Sequence, residues 1–251
     1  MMSKDKSTKD DKKMLNSEYH TMFVIDVSEK KEPVTIEKTD KKGKVTTETL
    51  PDTYKITPAH KKYRIFMDSF MEYERGLHEM FNTLWNAEDN DELELRINSW
   101  GGLVKEGQNF YNVIKNKFNG RTTTILDSAG YSMGAIAMCL GDERICMEQS
   151  DLMFHDYSGG SSGKGGEIEA HVTHTAKHLR SFFRKVIVDQ GFLTPEEFEK
   201  MIIGKDYWME VPEMCERGIA THVMVDGVKV KAKMYLKYSK GKISRKELLG
   251  N

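Results

Sequence analysis

The run Thr122-Thr123-Thr124-Ile125-Leu126 leads directly into Asp127-Ser128-Ala129-Gly130-Tyr131-Ser132-Met133-Gly134-Ala135-Ile136-Ala137. The first stretch reads as a buried strand, because it is β-branched and apolar throughout. The small residues that follow permit a tight turn. The last stretch is apolar on every side, so it reads as a buried helix. A strand that turns at once into a buried helix, in a chain that goes on alternating strands and helices, argues for an α/β layered domain. The same turn places the Ser132 hydroxyl at a helix start, where free N–H groups favour negative charge. A serine that attacks a carbonyl makes an oxyanion and needs such a setting.

The rest of the chain repeats this rhythm from Tyr63 onward. Residues 63–67 read as a strand, and 70–85 as a helix carrying Phe70, Tyr73, Leu77, Met80, Phe81 and Leu84 at helical spacing. Residues 93–97 read as a strand that ends in Asn98-Ser99-Trp100-Gly101-Gly102, and 103–118 as a helix after a short extended start. Short strands are predicted at 144–147 and 152–154, and a long helix at 168–190. Thr194, Pro195 and Glu197 form a capping box opening another helix. Residues 211–217 read as a short helix stopped by Gly218, and 222–225 as a closing strand.

The first 60 residues differ, with many lysines and threonines and no tryptophan. Residues 1–16 are polar and read as disordered. Residues 22–27 read as a strand, and 34–50 as a β-hairpin around Lys41-Lys42-Gly43-Lys44. Pro51 and Pro58 punctuate a linker. Three parts follow: an N-terminal extension over 1–60, an α/β domain over 61–228, and a basic tail over 229–251.

Composition narrows the function classes. The chain is 38% hydrophobic and 31% charged with a net charge of −1 and no basic stripe, which argues against nucleic acid as a partner. No apolar run approaches the ~18 residues of a membrane span, and the N-terminus lacks a secretory apolar segment. A cytoplasmic location is expected. Cys139, Cys146 and Cys215 show no CxxC spacing and read as reduced core thiols, not metal ligands.

A serine nucleophile needs a base, and the chain offers eight histidines. His20 and His60 lie in the extension, His78 on an acidic helix face, and His222 beside a late strand. His171, His174 and His178 share one helix face, and the last two have the i, i+4 spacing of metal ligands. With lysine and threonine around them and no third ligand, they read as a solvated face. His155 closes a strand and opens Ser158-Gly159-Gly160-Ser161-Ser162-Gly163-Lys164-Gly165-Gly166, a position suited to facing a cleft. Periodicity alone would equally make it a plain surface or core histidine. The glycine stretch is no P-loop, because Ser158 and Gly165 occupy positions where glycine and a magnesium-binding hydroxyl are required.

Three segments, in order, resemble the proteolytic subunit of the Clp protease family. They are Ile97-Asn98-Ser99-Trp100-Gly101-Gly102, Ser128-Ala129-Gly130-Tyr131-Ser132-Met133-Gly134-Ala135 and Leu152-Met153-Phe154-His155. The resemblance covers residues 63–225. It implies a crotonase-like α/β fold, a layered β-α superhelix with a protruding handle helix at about 167–190. It implies Ser132 as nucleophile, His155 as base, and Asp206, in Gly204-Lys205-Asp206-Tyr207-Trp208-Met209, as the acid that orients the base. The N–H groups of Gly102 and Met133 match the family's oxyanion hole, with glycine allowing close approach at 102. Substrate would add as a strand between Gly101-Gly102-Leu103-Val104 and Tyr157-Ser158-Gly159, with Val104, Met133, Ile136 and Tyr157 lining an apolar pocket.

Trp100 stands where the family has proline, and Tyr207 where it has arginine. The implied protein is a serine endopeptidase acting on unfolded chains or short peptides inside a seven-membered homo-oligomeric ring or a stack of two. It needs no cofactor or metal; ATP would act only through a partner AAA+ unfoldase. Two other readings stay open: a crotonase-type acyl-CoA enzyme, which would not need Ser132, and a catalytically silent ring subunit.

Overall fold

In the computed structural model, residues 13–16, 20–39, 45–70 and 75–250 are described. The chain begins with β1 (Lys13–Asn16), which pairs antiparallel with β2 (His20–Val27). Residues 13–16 are therefore a strand, not part of a disordered head, while residues 1–12 lie outside the described residues. Backbone pairing to an existing edge suffices for so short a strand.

The hairpin is longer than its alternating pattern predicts: β3 (Lys30–Thr39) against β4 (Val45–Thr57). The loop read at 41–44 lies outside the described residues. Pro51 sits inside β4, not in a linker. The register jumps from Pro33↔Tyr54 to Thr35↔Thr49, and Asp52 takes φ 54°, so a bulge absorbs the proline. Both strands are exposed along almost their whole length.

β5 (His60–Phe70) follows, antiparallel to β2. Phe70 ends this strand opposite Gly102 instead of opening the next helix, which is α1 (Arg75–Trp85). Then come β6 (Glu92–Gly102), α2 (Val104–Lys117), β7 (Thr122–Tyr131), α3 (Met133–Cys139), β8 (Glu143–Met147) and β9 (Asp151–Phe154). β5, β6, β7 and β8 are parallel neighbours. Their inward residues Tyr63, Ile65, Met67, Leu93, Leu95, Ile97 and Leu126 are buried, as a sheet covered by helices requires.

The long helix α4 (Gly165–Phe183) starts before residue 168 because the Lys164 N–H donates to the Glu167 carboxylate at 3.1 Å, a cap that the glycines mask. It ends in a π-helical turn, Arg184–Val188. Its first half is exposed, and only Leu179, Phe182 and Phe183 are buried within it. Next come α5 (Pro195–Met201), with the predicted Thr194–Glu197 capping box, β10 (Tyr207–Glu210) against β9, and α6 (Val211–Glu216).

β11 (His222–Val225) is parallel to β8 but does not close the sheet. A two-residue turn with Asp226 at φ 48° and Gly227 at φ 79° leads to the edge strand β12 (Val228–Lys231). The segment read as a basic tail then folds as α7 (Ala232–Ser239) and α8 (Arg245–Leu249), burying Tyr235 and Leu248. Arg245 ties it down through Glu148 at 2.9 Å and Asp226 at 2.9 Å. The result is a mixed α/β fold around a mostly parallel sheet ordered β1-β2-β5-β6-β7-β8-β11-β12, with β9 and β10 branching from β7.

Candidate active site

β7 forks. Thr123–Leu126 pair with β8, whereas Ala129–Tyr131 pair with β9. Ser132 follows at the point of the fork, and its N–H donates to the Met153 carbonyl at 3.0 Å. Its backbone sits at φ 55° and ψ −121°. A non-glycine residue held there costs about 1–3 kcal/mol, so the surrounding structure must over-determine it.

That scaffold comes from the end of β6. The Asn98 side-chain oxygen accepts from the Ala129 N–H at 3.3 Å, and the Ser99 hydroxyl accepts from the Gly101 N–H at 3.2 Å. A Cβ at Gly134 would fall 2.7 Å from the Ser99 carbonyl, so α3 can lie directly on β6. Gly101, at φ 100°, approaches Ser132 closely; a Cβ there would lie 2.5 Å from the Ser132 Cβ. The next residue, Gly102, is the one whose N–H the family resemblance assigns to the oxyanion. Gly102 ends β6 with φ 136°.

Ser132 and His155 line one cleft together with Val104, Met133, Ile136, Phe154, Asp156, Tyr157, Phe183 and Ile187. All four residues expected in the apolar pocket are among them. The cleft has a volume of about 20 Å³, room for a single water. Met133 is the first residue of α3, so its N–H has no partner within the helix. Leu103 is extended and joins the end of β6 directly to α2, and Val104 already belongs to the helix. Of the residues assigned to that side of the substrate strand, Val104 is therefore helical, whereas Gly101 and Gly102 lie in β6 and Leu103 is extended. Ser158 and Gly159 are exposed and outside any strand.

Asp206 precedes β10. The β9–β10 register pairs Tyr207 with Phe154, so Asp206 lies opposite His155, one residue beyond the ladder. Asp206 is exposed and does not line the cleft. Among the described residues, no hydrogen bond or ion pair joins Ser132, His155 and Asp206. A second carboxylate, Asp156, is missed by the sequence reading although it adjoins His155. Burial pushes its carboxyl up, while the Tyr157 N–H at 2.9 Å and nearby His155 act the other way.

The cysteines and the paired helix histidines lie in different surroundings. Cys139 and Cys215 are buried thiols pushed up to about 12 by desolvation, and Cys146 is shifted the same way. They are poor nucleophiles and poor metal ligands in that state. The rings of His174 and His178 stack at 6.1 Å, and a His178 ring nitrogen lies 3.0 Å from the Gln108 amide. No group of three metal-binding side chains occurs among the described residues. None of the helices described is long and apolar enough to cross a membrane.

The sequence pattern of the Clp protease family matches residues 54–227. The match spans β5 through β11, and with it the forked strand, the strained serine and the His155 strand end. The chain therefore belongs to the Clp protease family, and its role is that of a ClpP-like peptidase.

Proposed function

We propose that the chain is a serine endopeptidase in which Ser132 attacks the peptide carbonyl and His155 takes its proton. His155 then protonates the leaving amine, and Asp206 fixes the imidazole tautomer and stabilises its cationic form. The observation that carries this reading is a serine in a strained backbone conformation sharing a cleft with a histidine. The N–H groups of Gly102 and Met133 are assigned to the developing oxyanion. Donors of that kind typically contribute about 3–4 kcal/mol each. Catalytic hydrogen bonds are commonly long in the free enzyme and tighten with substrate, which accounts for the open Ser132–His155–Asp206 arrangement.

The substrates are unfolded polypeptides or short peptides, bound as an added strand beside Gly101, Leu103 and Val104 on one side and Tyr157, Ser158 and Gly159 on the other. The working form is a homo-oligomeric ring, single or double, in the cytoplasm, fed by an ATP-driven unfoldase where folded substrates are processed. Native mass spectrometry and a fluorogenic peptide assay on one preparation test this. A heptamer or its double with peptide hydrolysis, abolished in Ser132→Ala, is expected. Thioester hydrolysis that survives Ser132→Ala, without peptide cleavage, would instead favour a crotonase-type activity. A ring with neither activity would indicate a silent structural subunit.

A further inference from the structure

Two of the chain's three tryptophans stand largely in solvent near the candidate site: Trp100 is 76% exposed and Trp208 is 55% exposed. They are not isolated. Trp100 meets Tyr131 edge-on at 5.1 Å, and Tyr131 meets Trp208 edge-on at 5.1 Å. The Tyr131 hydroxyl donates to the Asp151 carboxylate at 2.9 Å, which fixes the middle ring. The three rings form a ladder across the ends of β6, β7 and β10.

Strand alternation puts this ladder on the face that carries the proposed catalytic groups. On β10, Tyr207 and Met209 are buried, while Trp208 and Glu210 are exposed. On β9, Leu152 and Phe154 are buried, while Asp151 and Met153 face outward. The registers Trp208↔Met153, Glu210↔Asp151 and Tyr131↔Met153 collect these outward residues on one side. His155 and Asp206 continue the same alternation. Trp208 is therefore two residues from Asp206 along one strand face, about 7 Å. Beyond the ladder the face opens into a groove of about 520 Å³ lined by Asp151, Trp208, Glu210 and Glu213 among others. It adjoins a second of about 460 Å³ that shares Asp151 and Glu210. Glu213 is paired with Arg217. Among the described residues, neither Asp151 nor Glu210 pairs with a lysine or arginine.

We propose that this aromatic ladder and the Asp151–Glu210 groove form an extended docking subsite for a lysine- or arginine-bearing stretch of the substrate polypeptide, away from the scissile bond. Exposed indole faces attract cations, and tryptophan does so best. The carboxylates of Asp151, which accepts only the neutral Tyr131 hydroxyl, and Glu210 complement the same charge and repel an acidic segment. The inference rests on the peptidase reading for its substrate, but the docking itself is measurable without cleavage.

The probe is a short fluorescent peptide with several lysines and arginines, compared with a twin carrying glutamine at those positions. Both are titrated into full-length Ser132→Ala protein by anisotropy. The cationic peptide is expected to bind about tenfold tighter than its twin, with the gap shrinking as salt is added. Trp208→Ala should weaken it about fivefold, and Glu210→Gln about threefold. Both side chains are exposed, so neither change threatens the fold. Equal binding of the twins, or full selectivity retained in both variants, overturns the proposal. So does shielding of both exposed tryptophans from acrylamide by a second copy together with no peptide binding. Selective binding without any peptide hydrolysis by the unmodified protein would sink the peptidase reading and leave the docking site standing. Hydrolysis indifferent to the cationic stretch would do the reverse.

Discussion

The strands around Ser132 and the β3–β4 hairpin are both sheets, yet they solve opposite problems. β5, β6 and β7 bury Ile65, Leu95 and Leu126 completely. The hairpin leaves Val45, Tyr54 and Ile56 more than half exposed. Burial lets the first region hold a serine in an unfavourable backbone conformation, because neighbours on every side forbid relaxation. The second region has no such support. It accommodates a proline through a bulge and tolerates an irregular register. Precision in this molecule is confined to the layered core, and chemistry that needs fixed distances has its supports there.

The largest effect should come from chemistry. Ser132→Ala and His155→Ala are each expected to lower peptide hydrolysis by about 10⁶-fold, to the assay floor, as judged by kcat/KM on a fluorogenic peptide. A loss below about tenfold in either variant would detach the buried fork from catalysis. Next in size is Gly101→Ala. Its added methyl would meet the Ser132 Cβ at 2.5 Å in a backbone at φ 100°, so urea denaturation should report a loss of about 3 kcal/mol with activity abolished. An unchanged midpoint would mean that the core around Ser132 is no more rigid than the hairpin.

A smaller test lies at the periphery of the core. Arg217 joins Glu197 of α5 through two 2.9 Å contacts and Glu213 of α6 through another. The Arg217 hydrogen bonds are the main cause that holds the Glu197 carboxyl down at about 2, against an ordinary 4.5. A depressed folded value stabilises above the ordinary value, and the contribution disappears as pH falls from 4.5 toward 2. Glu197→Gln should therefore cost about 2 kcal/mol near pH 7, with the difference from the unmodified protein closing across that acidic window. A pH-independent difference would assign the cost to packing alone. The smallest effect is expected from replacing residues 30–57 by a short flexible linker. An isolated hairpin contributes little, so the core's thermal stability should change by less than about 1 kcal/mol. A collapse of the core on its removal would erase the contrast between the two regions.

Much of the core was legible because its signals are local and strong. The apolar run before Ser132, the Thr194–Glu197 box and the helix over Leu77 to Leu84 each follow from periodicity or capping chemistry. Ser132 and His155 stand out in the sequence through spacing shared with a family, and in the structure they line one cleft. The missed features depend on distant partners. Phe70 carries a helical pattern but is claimed by the Gly102 strand. The start of α4 hides behind glycines, although Lys164 and Glu167 cap it. Asp156 gains its interest only from burial beside His155, and Trp100, Tyr131 and Trp208 form a ladder only once three strands align. The β11–β12 turn is different. Asp226-Gly227 between valines is a strong local hairpin signal, and it was readable without tertiary context.

Ser132 as an activated nucleophile is most directly tested by intact-protein mass spectrometry after treatment with a fluorophosphonate. A single adduct that maps to Ser132 and vanishes in both Ser132→Ala and His155→Ala is the predicted result. An unlabelled protein in its assembled state, or labelling that persists when His155 is removed, would contradict it.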